Sequence, residues 1–182
     1  MQPAEKSPIS FDVDVARLPK KGVSVAIEAT EAERAALADV HGLLAVDRLR
    51  ADLAVSAWKR NGVRIEGRVV ADIVQSCVVT LEPVTNHIDE EISAVFLPED
   101  SKLGRESFDV GGEIMIDVDG PDSPETFSGD RIDVGALVEE FFGLGIDPYP
   151  RKAGAALPEA PSASPREENE MQRKLRKLFR DS

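Results

Sequence analysis

The stretch LRADLAVSAWKRNGVRIEGRVVADI, residues 49–73, decides the fold class. Leu49, Ala51, Leu53, Val55 and Ala57 alternate with more polar neighbours, and Val63, Ile65, Gly67, Val69, Ala71 and Ile73 repeat that period. Successive strand side chains point to opposite faces, so a two-residue period means one face against a core and one in water. Between the runs sits Asn61-Gly62, a pair that tolerates the positive φ of a tight hairpin turn. Two strands joined there are antiparallel.

Toward the N-terminus, Ile9, Phe11, Val13 and Val15 alternate in the same way and predict a half-buried strand. Lys20-Lys21-Gly22 makes a turn, and Val23, Val25 and Ile27 a second strand. Thr30 and Glu33 have the spacing of a capping box, in which each side chain satisfies a free N–H at a helix start. Ala36, Leu37 and Val40 form the apolar face of that helix, and Gly42 can take the left-handed conformation that ends it.

Toward the C-terminus, residues 73–81 are nearly all β-compatible, which places Cys77 in a strand, until Glu82-Pro83 breaks the run. A strand over roughly 88–97 sets Ile92, Ala94 and Phe96 on one side and leaves His87 in a turn. Residues 97–130 hold ten acidic and two basic residues, read as an acidic loop at about 99–112 and a short strand at 113–118. Asp133 caps a helix near 134–143 whose face is Val134, Leu137, Val138 and Phe141; Pro148 and Pro150 prevent it from restarting. Residues 153–163, AGAALPEAPSA, are a linker. Ser164, Pro165 and Glu167 then open a helix over 164–182, with Met171, Leu175, Leu178 and Phe179 as its apolar stripe. The expected architecture is α+β: a mainly antiparallel sheet, open or barrel-like, two packing helices over residues 1–152, and a basic helix behind a linker.

Composition bounds the function. Lys plus Arg is 22 against 34 Asp plus Glu, a net charge of -12. Residues 151–182 carry eight basic and five acidic residues, so residues 1–150 stand at -15. Phosphate backbones are held chiefly by Lys and Arg. The body therefore suits a basic protein better than nucleic acid, and RNA contact falls to the tail residues Arg173, Lys174, Arg176, Lys177 and Arg180. No apolar run approaches the ~18 residues of a membrane span, and MQPAEKSPIS lacks a signal core, so a cytoplasmic protein is expected.

Catalytic signatures are missing. There is no phosphate-binding glycine loop and no G-x-S-x-G elbow. One cysteine excludes an intrachain disulfide and a multi-cysteine metal site. His41 and His87 have no spacing with Cys77 that supports zinc, and the carboxylates are too numerous for any pair to stand out. No catalytic residue, metal, cofactor or small-molecule substrate is expected.

Two segments carry a resemblance: SCVVTLEPV, residues 76–84, and RIDVGALVEEFFGLGIDPYPRK, residues 131–152. With an acidic loop between them they resemble the YceD-like family of large ribosomal RNA subunit accumulation proteins, in the form found in alphaproteobacteria, over most of residues 5–155. Cys77 matches the first cysteine of the family's C-x-x-C element, within the segment that ends at Pro83-Val84. Thr80 stands at the second cysteine position, so no metal role carries over. Asp133 and Glu140 match acidic positions of the helix motif, and Pro148 the proline after it. Read from the residues alone, Asp133 caps, Pro148 stops, and Glu140 has no evident fold duty. The resemblance implies a non-enzymatic role in accumulation of large-subunit ribosomal RNA, through a ribosomal protein and/or precursor RNA. A general protein-interaction module unrelated to ribosomes is the alternative, and an RNA-processing enzyme the third reading. Nothing in the residues gives an oligomeric state.

Overall fold

A computed structural model describes residues 7–99, 101 and 124–156. In chain order the elements are β1 (Asp12–Asp14), β2 (Val23–Glu28), α1 (Glu31–His41), β3 (Ala45–Trp58), β4 (Gly62–Ser76), β5 (Pro83–Pro98), β6 (Glu125–Phe127), β7 (Arg131–Asp133) and α2 (Val134–Leu144).

The alternation of residues 49–73 becomes the β3–β4 hairpin, antiparallel from Ala45↔Val74 to Trp58↔Gly62. The turn differs in type from a two-residue Asn-Gly loop. Lys59–Asn61 form one 3-10 turn, only Asn61 has a positive φ (65°), and Gly62 already begins β4 in an extended conformation. Asn supplies the left-handed residue because its side chain tolerates that region. Gly67 serves a close approach. A Cβ there would lie 2.2 Å from the Asp52 carbonyl oxygen, so a side chain would push β3 off β4.

Five strands form one sheet in the order β2-β3-β4-β5-β6, while β1 and β7 form a separate antiparallel pair. Pairing is antiparallel except between β5 and β6, which run parallel. The barrel-like option is thereby corrected. The outer strands β2 and β6 do not pair with each other, and a barrel requires that closure. The fold is α+β with an open, mixed sheet.

Both helices lie on the sheet. α1 packs on β3, and α2 on β4, β5 and β1. The core gathers Leu49, Leu53, Val55, Ile65, Val69, Ile73, Ile88 and Ile92 from the sheet with Leu37, Leu137, Val138 and Phe142 from the helices. The helices meet where His41 Nε2 lies 3.2 Å from Glu139 Oε1 and the Phe142 ring meets the imidazole edge-on. The start of α1 follows expectation: Thr30 and Glu33 form the capping box, and Gly42 sits at φ 64°.

Other expectations need correction. Val40 is 61% exposed, because α1 turns Leu37 and Ala38 to the sheet instead. Phe11 is 43% exposed, since the chain bends at residues 8–9 and only Asp12–Asp14 are extended. β5 begins at Pro83 rather than near 88; the first residue of a strand is a place where proline's missing N–H costs little. His87 is therefore a strand residue, opposite Asp72, with Nδ1 2.7 Å from its carboxylate. Strands β6 and β7 have no counterpart in the sequence reading. The expected acidic loop at 99–112, strand at 113–118 and helix at 164–182 fall wholly or almost wholly outside the described residues. Among the described residues no helix is long and apolar enough to cross a membrane.

Candidate partner-docking site

β4 ends at Ser76, and the chain reverses through Cys77–Glu82 into β5. The turn is tied by its own backbone: Cys77 N–H donates to the Glu82 carbonyl and Leu81 N–H to the Cys77 carbonyl, each at 2.9 Å. Cys77 is thus a turn residue and not a strand residue. β-branched neighbours make Ser76–Thr80 look extended, but the long-range contacts of this turn override that propensity.

Cys77 is wholly buried, and its sulfur accepts N–H groups from Val79, Thr80 and Lys152, each at 3.4 Å. These donors favour the thiolate. The Lys152 N–H contributes most, then the Thr80 side chain and N–H, and against burial they bring the thiol down to about 6. A depressed folded value means that the unfolded chain holds the proton to higher pH. The stability Cys77 contributes is full above the unfolded thiol value of about 8.5 and is lost as pH falls through about 6. Urea unfolding at pH 6 and at pH 8.5 checks this: the stability advantage of wild type over Cys77→Ala is expected to grow with pH.

The segment after α2 closes over this turn. Val78 N–H donates to the Pro150 carbonyl at 2.9 Å, and Lys152 Nζ reaches Glu82 Oε2 at 3.1 Å. Lys152 also holds the Glu82 carboxyl below its ordinary range. Gln75, a buried polar side chain, donates to the Asp147 carbonyl at 2.8 Å and accepts from Asn86 at 2.6 Å. Asp147 Oδ1 in turn accepts the Tyr149 N–H at 2.9 Å. The two motif segments, distant in sequence, are locked side by side.

Three large apolar side chains stand among the exposed residues of the two segments, beside Thr80, Glu82, Asp147, Arg151 and Lys152. Leu81 is 77% exposed, Tyr149 70% and Val78 47%. Leu81 also has φ 61°, a conformation costing a non-glycine residue roughly 1–2 kcal/mol. Leu81→Asn is expected to relieve about 1 kcal/mol of this without losing packing, raising Tm by about 2–4 °C. Calorimetry measures it, and an unchanged or lower Tm would mean that the turn tolerates leucine without strain.

The other motif residues are placed separately. Pro83 opens β5 opposite Ser76, and Pro148 is exposed in the segment that covers the turn. Asp133 is at the far end of α2, where its carboxylate accepts from Gly135 and Ala136 N–H, from Phe11 N–H at 2.8 Å and from Ser10 Oγ at 2.7 Å. Burial pushes its carboxyl up, but the four donors outweigh that and hold it below the ordinary range. Glu140 is exposed and borders, with Asp133, Glu125 and Arg131, a cleft of about 220 Å³. Burial first, and then the charge of Glu140, raise the Glu125 carboxyl. Among the described residues no group of three or more His, Cys, Asp or Glu is placed to hold a metal ion. Arg173, Lys174, Arg176, Lys177 and Arg180 lie outside the described residues.

The wet face of the sheet carries arginines, but each of three faces a carboxylate. Arg50 holds Asp52 with two hydrogen bonds, Arg68 holds Asp89 in the same way, and Arg64 lies 3.6 Å from Glu66. Pairs this exposed add little stability, yet each offsets the positive charge of its own arginine.

Sequence reasoning missed Gln75, Val78, Leu81, Tyr149 and Lys152. Tyr149 carried a signal, since the prolines on either side stiffen its backbone. Leu81 carried none, because leucine is a poor choice for a left-handed turn position.

Among family models, the one described as Large ribosomal RNA subunit accumulation protein YceD matches residues 65–178, which include both motif segments. No curated protein and no solved structure matches the chain.

Proposed function

Because the chain belongs to the YceD family, whose description is large ribosomal RNA subunit accumulation, we propose that it is a non-enzymatic cytoplasmic factor acting in large-subunit assembly by binding a basic ribosomal protein. The observation that carries this reading is the disposition of charge. The chain has a net charge of -12, and Arg50, Arg64 and Arg68 on the open sheet face are each matched by a carboxylate. Such a surface attracts a cationic polypeptide and offers phosphates little free positive charge. The excess of basic residues in 151–182 supports a second contact, in which Arg173, Lys174, Arg176, Lys177 and Arg180 hold precursor RNA on a helix at 164–182 beyond a linker at 153–163.

Tagged purification from cells, with and without nuclease, tests the reading. A basic ribosomal protein is expected to remain after nuclease. RNA binding is expected to weaken steeply with salt and to vanish when 164–182 are deleted. Recovery of no ribosomal component would favour a general adaptor module. RNA cleavage by the pure protein, abolished by one carboxylate substitution, would make it an enzyme.

A further inference from the structure

We propose that β2 is a docking edge and that its occupant is β2 of a second copy of this chain, paired antiparallel about a two-fold axis so that the two sheets become one. The pairing needs no ribosomal partner, so it stands or falls apart from the preceding reading.

The backbone identifies the edge. β2 ends the sheet and pairs only with β3. The Ala29 N–H donates to the Leu49 carbonyl, in the register that sets Glu28 opposite Arg50. Antiparallel hydrogen bonds join directly opposed residues at every second position. Val23, Val25 and Ile27 therefore bond to β3, and Ser24, Ala26 and Glu28 turn their N–H and C=O groups to the open edge. No described residue bonds those groups. Folded proteins commonly blunt such an edge with proline, lysine, a bulge or extreme shortness. Val23–Glu28 contains no proline or lysine, and its register against β3 runs without a shift. The opposite edge, β6, is a strand of 3 residues. Val25 and Ile27 are buried in the core, so the edge is held extended before anything binds, which lowers the ordering cost of pairing.

Charge selects the occupant. Arg17, Lys20 and Lys21 precede the strand, all exposed, and no described carboxylate pairs with them. At the other end Glu28, Glu31, Glu33, Asp47 and Asp52 outnumber Arg34, Arg48 and Arg50. Arg34 is turned to the Ala29 carbonyl, and Arg50 holds Asp52. The edge is thus positive before the strand and negative after it. An antiparallel second copy sets opposite signs together at both ends, whereas a parallel one sets like against like. With Ala26 opposite Ala26 of the second copy, Ser24 meets Glu28 and Lys21 comes level with Glu31. That register makes about six backbone hydrogen bonds. It also brings Val23, 38% exposed although on the same side of the strand as Val25 and Ile27, level with Ala29 of the second copy. The opposing effect is repulsion between two chains of net charge -12, which physiological salt screens beyond ~8 Å.

Sedimentation equilibrium of the full chain at about 0.15 M salt reads the association. Wild type is expected to be dimeric by about 0.1 mM. Ala26→Pro removes a donor from the open edge and none from the β3 ladder, and is expected to weaken the dimer at least about 10-fold. Lys21→Glu and Glu31→Lys are each expected to weaken it about 5-fold. An equimolar mixture of these two is expected to restore it, because every reversed charge then meets its opposite on the other copy. Restoration by mixing separates contact between copies from damage within one, and it decides the matter even where Ala26→Pro does not fold. A monomer at every concentration would overturn the proposal, and is the result expected where another protein's strand or another segment of this chain holds the edge. A dimer unchanged by a folded Ala26→Pro, or one that charge reversal and mixing leave unaltered, would overturn it too.

Discussion

Phe142→Ala is expected to lower the unfolding free energy by about 3–5 kcal/mol. The ring is completely buried in the last turns of α2, within the core shared by sheet and helices, and its edge-on contact with His41 joins α2 to the end of α1. Truncation loses the transfer energy of the ring and leaves a space that strands on one side and a helix on the other keep from closing. Urea denaturation of both proteins gives the difference. A cost under about 1 kcal/mol would mean that α2 settles into the space. Phe141, partly buried beside it, should tolerate alanine better.

Asp133→Ala is expected to cost about 2–4 kcal/mol, because one carboxylate caps α2 and also ties Ser10 and Phe11 to it. The effect has a pH signature. The folded carboxyl titrates below its ordinary value, so the stability it contributes is present above the unfolded pKa of about 3.9 and is lost as pH falls through the folded value. The gap between wild type and Asp133→Ala should be constant from pH 7 to about 5 and shrink below about 4. A gap that held undiminished down to pH 3 would show that charge is irrelevant there. Asp133→Asn keeps an oxygen acceptor and should cost less.

What the sequence disclosed was local. The Thr30–Glu33 capping box, the cap at Asp133 and the position of the β3–β4 turn each depend on residues within a few positions of one another. What it withheld depends on distant partners. Nothing in Glu125–Phe127 announces a strand, since its extended form comes from parallel pairing with Phe96–Pro98. Phe141 and Phe142 are adjacent on a helix, and the rotation that buries one is set by the sheet beneath it. In the candidate site, Cys77 was legible as a motif residue but not as a turn residue, because the segment at 147–152 that completes its surroundings lies some seventy residues away.

The pairing of β1 with β7 joins Asp12 to Asp133 across most of the described chain. During synthesis β1 emerges long before its partner exists, so this ladder cannot form until residues 131–133 have been made. Loop-closure entropy makes so distant a contact a late one even in refolding. Until then Ile9 and Val13, buried in the folded protein, lack the strand pairing that helps to cover them, and such an unpaired apolar segment is a target for proteases and chaperones.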